Sequence, residues 1–229
     1  MTNHDFNRPY RRSVRLSGYD YSRAGAYFVT ICTEDRACLF GDAVTDGDMR
    51  LNDSGRMVIA EWGALPVRFS TVDLDAFVIM PNHVHGVIVM ARADRATTRV
   101  APTGDNATTP DLVGAGLVPA RASARNAASD RTSRATANRA TTNVAPTVGD
   151  IVGAFKSLTT VRYIRGVNTL GWPAFRGRLW QRNYYEHIIR NEDSLNRIRQ
   201  YILENPARWT FDRENPVAVS PERDPPWLV

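Results

Sequence analysis

Apolar and polar positions along the 229-residue chain change period several times, and each change marks an element. AYFVTIC at 26–32, rich in aromatic and β-branched residues, reads as a strand, and MRLND at 49–53 as a short second one. Ser54 then stands where it can cap a helix through GRMVIAEWGAL, with Met57, Ile59, Ala60 and Trp62 as apolar positions. LDAFVIM at 74–80 and HVHGVIVM at 83–90 lie so close together that Pro81-Asn82 reads as the turn of an antiparallel hairpin. In VGDIVGAFKSLTTVRYI at 148–164, apolar residues at 151, 152, 155, 158, 161 and 164 follow helical spacing. LWQRNYYEHIIR at 179–190 alternates as a strand. Asn191 caps a last helix through EDSLNRIRQYILE, with Leu195, Ile198, Ile202 and Leu203 on one face and Asn205-Pro206 as its stop. This order predicts an α+β fold of ferredoxin-like type, an antiparallel sheet with helices packed on one face.

The pattern lapses over 92–148, which holds no aromatic residue and is built from Ala, Thr, Arg, Asn, Ser, Gly and Pro. RATTRVAPT at 95–103 returns there as RATTNVAPT at 139–147. Such a tract buries too little apolar surface to offset its ordering entropy, so it is expected to be a long disordered insertion. The chain then divides into a basic N-terminal segment (1–24), a first part of the domain (25–91), the insertion (92–148), a second part (149–209) and a C-terminal tail (210–229).

Composition narrows the class. With 43% hydrophobic and 23% charged residues and two cysteines, the chain is no collagen, coiled coil or disulfide scaffold. No stretch approaches the roughly 18 apolar residues of a membrane span, and the N-terminus lacks a signal-peptide core, so no membrane and a cytoplasmic location are expected. Cys32 and Cys38 lack the second pair of a thiolate zinc site and are expected as reduced structural thiols. The net charge of +5 biases the chain mildly toward polyanions. Of 29 basic residues 28 are arginine, and Lys156 is the single lysine.

Two of the four histidines stand at 83 and 85, a spacing that turns both imidazoles to one face of a strand with Val84 toward the other. That is a geometry for chelating a cation, and equally one for two polar residues on a solvated face. A third ligand is needed. On the last helix Tyr201 and Asn205 are one turn apart on the same side, offering a hydroxyl and a carbonyl oxygen suited to Mg²⁺ or Mn²⁺. Tyr184 and Tyr185 compete for the first role and Glu204 for the second; by itself Tyr201 reads as a packing residue. His187 is expected to face away from the pair and to be structural. Arg11, Arg12 and Arg15 form a basic cluster before the first strand, and Lys156 and Arg182 are further candidates for contacting a polyanion.

PNHVHG resembles the His-hydrophobic-His motif of HUH endonucleases, and WQRNYYEHIIRNEDSLNRIRQYILENPARW is similar to the C-terminal signature of single-tyrosine HUH transposases. Together with RRSVRLSGYDYSRAGAYFVTICT and VGDIVGAFKS, the blocks resemble the REP-associated tyrosine transposases over nearly everything outside 92–148. The resemblance implies His83, His85 and Asn205 as ligands of Mg²⁺ or Mn²⁺ and Tyr201 as the nucleophile. It further implies single-strand DNA cleavage and strand transfer beside hairpins of repetitive extragenic palindromes, through a 5′-phosphotyrosine, with Arg11, Arg12, Arg15, Lys156 and Arg182 contacting DNA. A monomer is favoured over a dimer, in a nucleoid-associated cytoplasmic setting. The first rival is a domesticated hairpin-DNA-binding protein on the same fold that does not cut; the second is a metal-dependent hydrolase using water.

Overall fold

A computed structural model describes residues 18–43, 48–91, 145–221 and 225. Arg11, Arg12, Arg15 and positions 92–144 of the expected insertion lie outside the described residues.

Four strands form one antiparallel sheet: β1 (Gly25–Cys32), β4 (Val72–Ile79), β5 (His83–Met90) and β6 (Tyr185–Ile189), in the order β4-β5-β1-β6. Helix α1 (Asp53–Gly63) connects β1 to β4, and α3 (Val148–Leu170) connects β5 to β6. This is the ferredoxin-like topology that the element order predicts. Between β1 and α1, β2 (Gly41–Ala43) and β3 (Met49–Leu51) pair as a small hairpin, of which only the second strand was legible in the pattern. A four-residue helix, α2 (Leu65–Arg68), follows α1, and α4 (Glu192–Glu204) follows β6.

Strand alternation sends Tyr27, Val29 and Ile31 to one face, where they pack with Val58 and Trp62 of α1 and Ile151, Val152 and Phe155 of α3. Gly86 of β5 lies under the Trp62 ring, and a Cβ there would stand 2.4 Å from the indole. That close approach is what a glycine at 86 permits. On the other face Phe28, Val78 and Val87 receive Ile198 and Ile202 of α4. The expectation of helices on one face therefore holds for α1 and α3, while α4 lies across the sheet from them. Tyr27, Val29 and Ile31 on one face and Phe28, Val78 and Val87 on the other make both faces apolar at the sheet centre, so each requires cover.

Local chemistry shifts several boundaries. Asn52 rather than Ser54 caps α1, accepting from the Gly55 amide at 2.9 Å; the Ser54 hydroxyl donates to the Leu39 carbonyl. A Thr147–Asp150 capping box opens α3, which runs six residues past the expected Ile164 to Leu170 and is closed by Gly171 in the left-handed region (φ 70°). The expected strand at 179–190 shortens to Tyr185–Ile189, because the Lys156 ammonium binds the carbonyls of Gln181, Arg182 and Asn183 at 2.9, 3.3 and 3.1 Å. Neither Cys32 nor Cys38 forms a disulfide among the described residues. Among the described residues no helix is long and apolar enough to cross a membrane.

Candidate metal centre and active site

Both histidines of HVHG point from β5 to the α4 side of the sheet, and both are buried: His83 is 0% and His85 3% exposed. A solvated sheet face is thereby excluded. Their Nε2 atoms face each other at 3.0 Å, while each Nδ1 is engaged elsewhere. His85 Nδ1 lies 2.9 Å from the Thr30 hydroxyl on the neighbouring strand, and His83 Nδ1 lies 2.8 Å from Asn82 Oδ1. Such outer hydrogen bonds are how imidazoles are oriented toward a shared cation.

Asn82, also fully buried, connects the pair to two further segments. Its amide nitrogen donates to the carbonyls of Arg36 at 3.0 Å and Glu214 at 2.7 Å. The Arg36 side chain in turn pairs with the buried Glu214 carboxylate at 3.2 Å. Asp35 and Arg36 both occupy the left-handed region at φ 54°, a conformation that costs non-glycine residues about 1–3 kcal/mol each. The bonds from Asn82 and Glu214 hold that turn in place.

Helix α4 brings Tyr201 to the same pocket, with its ring centroid 5.3 Å from His85 and 6.1 Å from Phe28 in edge-on contacts. Asn205, one turn on, is 4% exposed, and its Oδ1 has no hydrogen-bond partner among the described residues. A buried amide oxygen without a donor costs about 1–3 kcal/mol, which a cation would relieve. Glu204 by contrast is exposed and accepts from Gln200 at 2.5 Å. Tyr185 shares the His face, 6.3 Å from Phe28, whereas Tyr184 packs with the α3 side beneath the Lys156 ammonium.

After α4 a 3₁₀ turn, Pro206–Phe211, folds back over the pair. Trp209 stands 6.1 Å from the His83 ring, and Asp212 Oδ2 lies 3.6 Å from His83 Nε2. His83, His85 and Asp212 thus offer two nitrogens and an oxygen all within 4.8 Å of one another, a set that can hold a metal ion. Asp212 was missed in the sequence, because nothing in the periodicity of a post-helical turn marks it. His187 lies opposite Phe28 in the β1–β6 ladder and so shares the face of the pair, contrary to expectation.

The remaining basic candidates divide. α3 lies on the sheet face opposite the histidines, and Lys156 directs its ammonium to three backbone carbonyls at the sheet edge. Arg182 is exposed on that same 181–183 segment.

No protein-family model matches the chain. It is 34% identical over 207 residues to an uncharacterized protein of Haemophilus influenzae, covering 89% of this chain and 92% of that protein. At that identity and coverage the chain belongs to the same family as the Haemophilus influenzae protein. Among solved structures, a REP-associated tyrosine transposase bound to a REP hairpin is similar at 16% identity, over 84% of this chain and 74% of that one, with a TM-score of 0.43.

Proposed function

We propose that this protein is a metal-dependent single-strand DNA endonuclease and strand transferase, of the REP-associated tyrosine transposase type that its motifs resemble. The observation that carries the reading is the meeting of Tyr201 with the buried His83–His85 pair: its ring stands 5.3 Å from that of His85, whose Nε2 faces His83, and it sits on the helix that also brings Asn205. The donor set supports a divalent ion held by His83, His85 and Asp212, with the Asn205 oxygen as a further ligand. Imidazole nitrogen mixed with oxygen suits Mn²⁺ better than Mg²⁺, which favours oxygen alone. When bound, such an ion polarises a scissile phosphate and offsets charge in the transition state.

The chain's own residues supply the rest. Tyr201 Oη attacks phosphorus and gives up its phenolic proton. The bond from phosphorus to the 3′ oxygen breaks, and that oxygen takes up a proton. The products are a 5′-phosphotyrosine and a free 3′-hydroxyl, and the step conserves the phosphodiester energy for rejoining. Exposure supports Arg182 as a contact to the DNA backbone, and Arg11, Arg12 and Arg15 are further candidates by charge. Hairpins of repetitive extragenic palindromes are the proposed substrate, with a monomer in the nucleoid as the working form.

The test is incubation with labelled single-stranded hairpin DNA and Mn²⁺, followed by a denaturing gel. The reading predicts a label-retaining adduct in the wild type and none in Tyr201→Phe. Chelator-insensitive hairpin binding without any adduct would favour the non-cleaving binder instead.

A further inference from the structure

Helix α4 carries both Tyr201 and Asn205, yet only Ile198 and Ile202 among its 13 residues are buried, against seven in α3. A narrow apolar stripe of Ile198 and Ile202, with Leu195 and Tyr201 partly buried beside it, resists lifting from the sheet, but resists rolling poorly because such contacts are non-directional. The helical period places Arg199 and Tyr201 on opposite flanks of that stripe. Tyr201 accordingly reaches His85 and Phe28, while Arg199 reaches β4.

β4 meets Arg199 with a bulge. Leu74 pairs with Ile88 and Phe77 with Gly86, so one extra residue is accommodated between them, and Asp75 lies in that slip. Bulges re-aim side chains in this way. Arg199 donates from Nε to Asp75 Oδ1 and from Nη2 to Oδ2, each at 2.8 Å, a parallel fork that fixes plane as well as distance. Its Nη1 donates to Glu192 Oε1 at 3.0 Å and Asn196 Oδ1 at 2.8 Å, tying the guanidinium to the preceding turns of its own helix.

We propose that the Asp75–Arg199 fork is a positioning device: it fixes the roll of α4 and thereby aligns Tyr201 and Asn205 on the His83–His85 pair. This rests on the tyrosine-cleavage reading above.

Two measurements on the full-length protein test it, with Asp75→Asn and Arg199→Lys, the second keeping the charge while losing the fork. One is the rate of adduct formation on the labelled hairpin with Mn²⁺; the other is hydrogen exchange resolved along the chain. The expected result is a rate at saturating DNA lowered about 10- to 100-fold, with the half-saturating DNA concentration unchanged. Exchange should quicken over Glu192–Glu204 while Val72–Ile79 and His83–Met90 keep their protection. Unchanged rate or unchanged α4 exchange in both variants would overturn the proposal. So would exchange that quickens uniformly, the mark of general destabilisation. If the wild type forms no adduct, the tyrosine reading fails separately, and the α4 exchange still decides whether the fork holds the helix.

Discussion

Asn82 sets the orientation of His83: its Oδ1 lies 2.8 Å from His83 Nδ1 while its amide nitrogen donates to the Arg36 and Glu214 carbonyls. Because both carbonyls require donors, the amide cannot be flipped, and the atom facing the imidazole must be the acceptor. His83 Nδ1 is therefore the donor, and in the neutral ring the Nε2 lone pair points toward His85.

Replacing Asn82 with Ala should weaken Mn²⁺ binding about 10- to 100-fold in a calorimetric titration, as loss of an orienting partner does at other metal sites. The buried Glu214 carbonyl and the part-buried Arg36 carbonyl would also lose a donor, so the metal-free variant should be destabilised by about 1–3 kcal/mol in denaturant unfolding. Mn²⁺ affinity equal to wild type would detach Asn82 from the metal centre.

Asn205→Ala should behave differently. It removes a buried oxygen that has no donor among the described residues, so metal-free stability should hold or rise. The stabilisation that Mn²⁺ adds to the wild type should shrink. Thermal unfolding with and without Mn²⁺ reads both quantities, and an undiminished Mn²⁺ shift would exclude Asn205 as a ligand.

Lys156 and Arg182 should separate in salt dependence. With its three carbonyl bonds Lys156 serves the backbone at 181–183, so Lys156→Met should leave the slope of log affinity against log salt for hairpin DNA unchanged. Arg182→Ala should lower the magnitude of that slope by about one. Burial also lowers the Lys156 ammonium from 10.5 to about 8, with Cys32 and Glu34 opposing. Between those values the unfolded chain binds more protons than the folded one, so this group makes stability rise with pH across that window. Lys156→Met should remove the rise in urea unfolding measured from pH 8 to 10.

Gly86→Ala tests the sheet-to-helix packing apart from function. The added methyl would stand 2.4 Å from Trp62, which is itself stacked on Phe77 at 4.8 Å. Overpacking of this kind should cost about 1–3 kcal/mol by thermal or chemical denaturation. A variant as stable as wild type would mean that the indole has room to move.

The strands at 26–32 and 83–90 were legible because alternation and β-branching persist over seven or eight residues, and the HxH spacing by itself put both imidazoles on one face. Placing α4 across the sheet from α1 and α3 was not legible, since an amphipathic stripe states that a face is buried without stating against what. The shortened β6 follows from the single contact of Lys156 with three carbonyls 25 to 27 residues away, which no local pattern encodes. Asp212 and Thr30 reach the histidines through chain reversal and strand pairing, and so appear only once the fold is known.

The most direct test of the central claim is the mass of the covalent peptide. After reaction with a hairpin oligonucleotide and Mn²⁺, nuclease trimming and tryptic digestion, Tyr201 falls in 200–208 (QYILENPAR), while Tyr184 and Tyr185 fall together in 183–190 (NYYEHIIR). A nucleotide phosphate on 200–208 is the predicted result. The same mass on 183–190, or hydrolysed DNA with neither peptide modified, would contradict Tyr201 as the nucleophile.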